Sequence, residues 1–371
     1  MKVQQAATGL LAWAMCICAQ AGFLSLNVLD YGATPSGEVD DAPAFQSAID
    51  DLEAAGGGML IVPTGSYVFD SRVDITGGNT SGARKITIQG ESGVRIFGNN
   101  TNGVFRFTYN TRTEQVNIFD LTIIALIESA GTAIEITSPP GGAQDKRVVT
   151  IENVTVRSQV GGPQYFNQGI VVTGLYRPLI KNCSVTYTAG TDMSDSSTNF
   201  QAEVGMDVSD CYAPVIQDCT VKTVHTAYKY STTTGSSPED GAVMDSVADY
   251  CRIGVQFHQN DDGVEPTFWV TGCDINARDI GVWVKGRRIC HVTDNDFRQR
   301  SLSHALKDVQ FDYVHLGFVL RNTFHGTLAA GRKNVVIDED GSYIIIKENT
   351  LSGASSSALQ IDSGADNILS Q

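Results

Sequence analysis

Val255-Gln256-Phe257-His258 and Val282-Trp283-Val284-Lys285 carry one pattern 27 residues apart: apolar, variable, apolar, polar. The pattern recurs upstream at Ile134-Glu135-Ile136-Thr137, Ile170-Val171-Val172-Thr173, Met206-Asp207-Val208-Ser209 and Tyr228-Lys229-Tyr230-Ser231. Downstream it returns at Val309-Gln310-Phe311-Asp312, Val335-Val336-Ile337-Asp338 and Leu359-Gln360-Ile361-Asp362, and an early copy holds Arg106 and Thr108. Alternation with period two makes each copy a strand with its apolar residues on one side. Between the copies runs a second pattern built on an Asn or Asp anchor, at Asp120, Asn153, Asn182, Asp218, Asn295 and Asn349, with Gly272 in the same place. Asn153, Asn182, Asn295, Asn322 and Asn349 are expected to stack as one asparagine ladder at a tight corner. Asp218 and Gly272 stand two repeats apart, so a degenerate coil is expected around Met244-Asp245-Ser246. Self-similarity at a period of roughly 20 to 50 residues means stacked units, and the uneven spacing suits strands joined by turns that carry insertions. The expected fold is all-β, a parallel β-helix of about ten coils.

The composition fits an exported solenoid. Lys2 precedes an apolar stretch from Ala6 to Ala19, and Ala19-Gln20-Ala21 is a small-x-small cleavage site. Residues 1–21 are therefore expected to be a signal peptide, with 22–371 a single domain and the product secreted, extracellular or periplasmic. No other segment approaches the length of a membrane span. The formal net charge of −15 argues against nucleic acid as a partner. It also means that a polyanionic ligand would need a local basic groove or a bridging cation such as Ca2+; no cofactor is otherwise implied, and nothing points beyond a monomer. Of the six cysteines after residue 21, Cys183, Cys219 and Cys273 each follow an anchor by one residue and should stack as small buried side chains. Cys211, Cys251 and Cys290 share no such position, and a Cys211–Cys251 disulfide stays open. No cysteine spacing resembles a zinc site.

A stack of coils leaves its end layer open to water and needs a cap. Phe45, Ala48, Ile49 and Leu52 fall at helical spacing, with Asp40 or Asp41 to cap the start, Pro43 in the first turn and Gly56-Gly57-Gly58 at the end. A capping α-helix is thus expected within an N-terminal cap of about residues 27–70. The run Val28-Leu29-Asp30-Tyr31-Gly32-Ala33, Asp40-Asp41, the helix, the Gly triplet and Val62-Pro63-Thr64-Gly65-Ser66-Tyr67 resembles the start of the pectate-lyase-like superfamily. That resemblance implies a right-handed parallel β-helix and activity on polysaccharides.

Stacking the strands lines up their outward residues in two columns. The first holds Arg106, Glu135, Val171, Asp207, Lys229, Gln256, Trp283, Gln310, Val336 and Gln360. The second holds Thr108, Thr137, Thr173, Ser209, Ser231, His258, Lys285, Asp312, Asp338 and Asp362. Titratable groups concentrate in the middle, where Asp207, Lys229, Gln256 with His258, and Trp283 with Lys285 occupy four consecutive coils. An outward Trp is costly to hydrate unless something covers it, and flat aromatic surfaces suit sugar rings. The turn after His258 adds Asp261 and Asp262, and the turn after Lys285 adds Arg287 and Arg288. Insertions at 188–201 and 232–241 are expected to wall the same face.

This set of groups suits β-elimination on a uronate polymer. The acidified C5 proton needs a base, the adjacent carboxylate needs neutralising, and the leaving oxygen takes a proton. Lys229 or Lys285 is the expected base with His258 second, Arg287 the neutralising charge, and Asp207 the group that orients a lysine or holds a cation. Trp283, Gln256, Arg288, Asp261 and Asp262 are expected to bind substrate. Tyr228 is inward by alternation, but a local twist would turn its hydroxyl towards the ligand as a rival acid. The alternatives are a polygalacturonase-like hydrolase using Asp207 with Asp261 or Asp262, a uronate C5-epimerase, and a non-catalytic carbohydrate-binding surface protein. The chain lacks the Asn-Thr-Asp and Gly-His-Gly motifs of the hydrolases, the Asp-Pro-His-Glu of the epimerases and the Trp-x-Asp-His of classical pectate lyases.

Overall fold

The computed structural model describes residues 24–76, 85–109, 115–138, 147–160, 162–188, 200, 202–232, 240–259, 267–286, 289–298, 307–325, 333–338, 343–352, 361–363 and 368–370. It is a right-handed parallel β-helix. One wall is a sheet of thirteen strands, from Leu24–Asn27 through Gly57–Val62 and Gln115–Phe119 to Tyr343–Lys347 and Ile368–Ser370, every neighbouring pair parallel. Thirteen rungs among the described residues exceed the ten expected, because Leu24–Asn27 and Gly57–Val62 precede the first copy of the repeat and Ile368–Ser370 follows the last. The strand Gly241–Met244 is the expected degenerate coil. It pairs with Val215–Gln217 on one side and Thr267–Thr271 on the other.

Two further runs of strands complete each coil. The wall that holds the candidate site residues contains Val204–Asp207, Thr226–Thr232, the second half of Val247–Gln259, the second half of Asp274–Lys285, and Lys307–Asp312. Its register follows the repeat, pairing Asp207 with Lys229, Lys229 with Gln256, Gln256 with Trp283 and Trp283 with Gln310. The last coil departs from the expected register, because Val336 pairs with Asp362 rather than Gln360, a slip of one full side-chain period.

The corners explain the anchors. Asp120, Asn153, Asn182, Asp218, Asp245, Asp294, Arg321 and Glu348 all have positive φ, between 49° and 60°, and Gly272 joins them at 68°. Asn, Asp and Gly tolerate this left-handed turn best, which is why they dominate it. The residue after each corner points inward. Two separate ladders were therefore merged in the sequence reading. Asn153 and Asn182 are exposed corner residues, whereas Asn295, Asn322 and Asn349 follow a corner and form the inner ladder. There the side-chain Oδ1 of Asn322 accepts from the backbone N–H of Asn295 at 3.0 Å, that of Asn349 accepts from Asn322 at 2.8 Å, and each amide nitrogen donates to a carbonyl one coil back.

The same rule disposes of the cysteines. Cys183, Cys219 and Cys273 follow corners as expected, but so do Cys211 after Asp210 and Cys251 after Tyr250, at other corners with φ of 54° and 55°. All six are buried free thiols, and there is no Cys211–Cys251 disulfide. Burial raises the Cys211, Cys251 and Cys273 thiols to about 12, so they are inert packing groups.

The helix Ala42–Ala54 caps the open end with Phe45, Ala48, Ile49 and Leu52 buried against the first coils. Phe45 meets Tyr67 and Phe69 edge-on at 5.4 and 4.8 Å between ring centres. Asp40 accepts from the Ala42 N–H, while Asp41 turns back to hold the backbone N–H groups of Thr34 and Val68, tying cap to first coil. No helix among the described residues is long and apolar enough to cross a membrane.

Candidate active site on one face of the helix

The strand Thr226–Thr232 shows how the site is held. Tyr228 and Tyr230 flank Lys229 and point inward, where the Tyr230 hydroxyl donates to the Cys211 carbonyl at 2.7 Å and its ring stacks on Phe257 at 4.5 Å. Tyr228 is 1% exposed and its hydroxyl contacts the carbonyls of Cys219 and Val247 at 2.9 and 2.8 Å. The local twist that would have brought Tyr228 to a ligand does not occur. Its one hydroxyl hydrogen, held between two core carbonyls, keeps it in place, so Tyr228 does not reach this face.

Lys229 points out and forms an ion pair with Asp207 at 3.0 Å. Asp207 is almost fully buried and also accepts from the Ser209 hydroxyl, which in turn lies 2.6 Å from the Ser231 hydroxyl. Asp207 therefore orients the lysine. One coil on, the Gln256 side-chain amide nitrogen lies 3.0 Å from Nδ1 and 3.5 Å from Nε2 of His258. Burial pushes the His258 pKa down to about 4, helped by the positive charges of Lys285 and Lys229 and opposed by Asp312. At neutral pH His258 is an uncharged hydrogen-bond donor between two cations.

Trp283 is neither sealed in the core nor fully open. Its indole N–H donates to Asp312 at 2.7 Å, and Asp312 is itself held by the Gln310 amide at 3.0 Å. The His258 ring meets it edge-to-face, 4.3 Å between centres and 86° between planes. Lys285 is exposed at the strand end, its ammonium 5.8 Å from the centre of the Tyr313 ring, with no carboxylate partner among the described residues. Lys229, Gln256, His258, Trp283 and Lys285 thus share one outward face. Arg287, Arg288, Asp261 and Asp262 lie outside the described residues, as do most of the insertions at 188–201 and 232–241. Among the described residues no group of His, Cys, Asp or Glu could hold a metal ion.

The sequence reading missed a neighbouring cleft. It opens beside Trp283, holds about 420 Å³, and is lined by His225, Arg252, Ile253, Asp279, Ile280 and Lys307 as well as the indole. These residues sit at the opposite end of the same strands from Lys285. The available signal was periodicity, since His225, Arg252 and Asp279 follow one another at 27 residues.

Fold and face together define a pectate-lyase-like right-handed parallel β-helix protein. The sequence profile described as rhamnogalacturonase A/epimerase, pectate lyase-like, matches residues 25–282, and the chain belongs to that family. Mannuronan C5-epimerase AlgE3 of Azotobacter vinelandii is 29% identical over 154 residues, 37% of this chain and 8% of that protein. Alginate lyase 7 of the same organism is 29% identical over 113 residues, 27% of this chain and 12% of that protein. The chain therefore spans only a small part of these curated relatives. The surface protein and adhesin PfbA of Streptococcus pneumoniae shares the fold, with a TM-score of 0.57 at 15% identity over 93% of this chain and all of that one.

Proposed function

We propose that this protein is an exported polysaccharide lyase that cleaves a uronate-containing polymer, of alginate or pectate type, by β-elimination. The observation that carries the reading is the row Lys229, His258 and Lys285 on successive coils. In a chain of net charge −15 it sets two lysine side chains about a neutral imidazole on an outward face. Lys285, reacting in its amine form, takes the C5 proton onto Nζ, the electrons of that C–H bond form the C4=C5 double bond, and the C4–O4 bond breaks. The ring N–H of neutral His258 hydrogen-bonds the departing oxygen, which takes its proton from water. Lys229, fixed by Asp207, supplies positive charge opposite the uronate carboxylate, where charge builds in the transition state, and Arg287 is proposed to assist it. Asp207 and Asp312 stand four coils apart, about 19 Å at the usual strand spacing. An inverting acid–base pair across one sugar needs about 6.5–9.5 Å, so these two carboxylates do not favour hydrolysis. The family name and the similarity to an epimerase and a lyase support a uronate polymer as substrate, and the amino-terminal signal pattern supports export.

The test is a panel of uronate and neutral polysaccharides followed three ways. A rise in near-ultraviolet absorbance with chain shortening supports elimination. Reducing ends without that absorbance mean hydrolysis. Inverted C5 centres by proton NMR without shortening mean epimerisation.

A further inference from the structure

We infer that the cleft beside Trp283 is a second saccharide subsite, one that binds the carboxylate and ring of a uronate unit next to the one that reacts. This inference rests on the uronate reading of the main face and extends it to residues that reading does not use. The cleft has a floor of Ile253 and Ile280 and one wall of half-buried indole, the amphipathic lining that sugar rings pack against.

Its charge is what selects the ligand. Arg252 hydrogen-bonds Asp279 through Nε and contacts Nε2 of His225 through Nη1 at 3.2 Å. Arg278 donates to the same carboxylate at 2.9 Å from a side chain only 5% exposed, packed over the Phe200 ring, and its Nη1 is buried without a hydrogen-bond partner. One carboxylate is thus shared by two guanidinium groups. Burial works to raise the Asp279 carboxyl, yet the hydrogen bonds from Arg278 and Arg252 outweigh it and hold it below its usual value, so it stays ionised. Burial and Arg252 keep His225 neutral. Lys307 adds a third cation at the rim, and Glu203 a second carboxylate nearby. The cations outnumber the acids, and Arg252 keeps 46% of its side chain in solvent, enough to turn donors towards an incoming carboxylate. A planar guanidinium beside an apolar wall matches a ring-borne carboxylate better than a neutral hydroxyl.

Trp283 joins the two sites. It meets His258 on the reacting side and lines the cleft on the other, so a chain crossing it would place neighbouring sugars in both.

The test is calorimetric binding of uronate tetrasaccharides to the full chain, with a neutral tetrasaccharide and a uronate monosaccharide as comparison probes. Arg252→Ala should weaken tetrasaccharide binding at least about tenfold, a charge-assisted bond's worth, and Arg252→Lys should restore part of it. Trp283→Phe should lose the ligand-induced change in tryptophan fluorescence. An equal affinity for the neutral tetrasaccharide, or an Arg252→Ala affinity equal to wild type with unchanged circular dichroism, overturns the subsite. Arg252-dependent binding without any unsaturated product would keep the subsite and overturn the lyase.

Discussion

The inner ladder Asn295–Asn322–Asn349 and the outer row Lys229–His258–Lys285 are built by the same repeat, yet they obey opposite rules. Inside, identical residues recur because each asparagine satisfies the next: Asn322 is 0% exposed, and its amide donates to the Val292 carbonyl at 2.8 Å and to Asn349 at 3.1 Å. Outside, the residue changes at every coil, and the groups are only partly satisfied by one another. A buried polar group without a partner is costly, so the interior tolerates only side chains that close their own hydrogen bonds. The outward face is free of that demand and can collect charge for a ligand.

Removing one residue from each ladder should therefore give opposite signatures. Lys285→Ala should lower turnover about 10²- to 10⁴-fold, the usual contribution of a general base, with little change in the denaturation midpoint. Asn322→Ala should cost about 3 kcal/mol of stability, because it strands the Asn295 N–H and the Val292 carbonyl. That loss is read from denaturant unfolding. A smaller effect belongs to Tyr230→Phe, which removes one buried hydroxyl bond to Cys211 and should cost about 1 kcal/mol with turnover intact.

The row and the ladder should also differ in pH response. Folding lowers the His258 pKa to about 4 from the 6.5 of a free imidazole. The unfolded chain therefore binds more protons between those values, and stability falls as pH drops from about 6.5 towards about 4. His225 and His291 are lowered too, so the slope is shared. His258→Gln should flatten part of that slope in a pH series of thermal melts, whereas Asn322→Ala should shift the whole curve without changing its shape.

The repeat made the walls and the central row legible in the sequence, because inward and outward positions alternate strictly in a strand. What it hid has definite causes. The corner residue and the one after it look alike when both are Asn, so exposed Asn153 and buried Asn322 were read as one ladder. Cys211 and Cys251 follow corners whose turn residues, Asp210 and Tyr250, fall outside the Asn-anchored pattern. His225, Arg252 and Asp279 sit just before the alternating segment of each strand, where an apolar-polar template does not look. Tyr228 was placed inward by alternation alone, and the structure puts it there.

The most direct measurement is the rate of unsaturated product formed from a uronate polymer by three proteins: wild type, Lys285→Ala, and Lys347→Ala on a different wall of the helix. The account predicts equal rates for wild type and Lys347→Ala, and a loss of about two orders of magnitude or more for Lys285→Ala. A Lys285→Ala protein as fast as wild type would contradict it, because the chemistry would then not reside on that face.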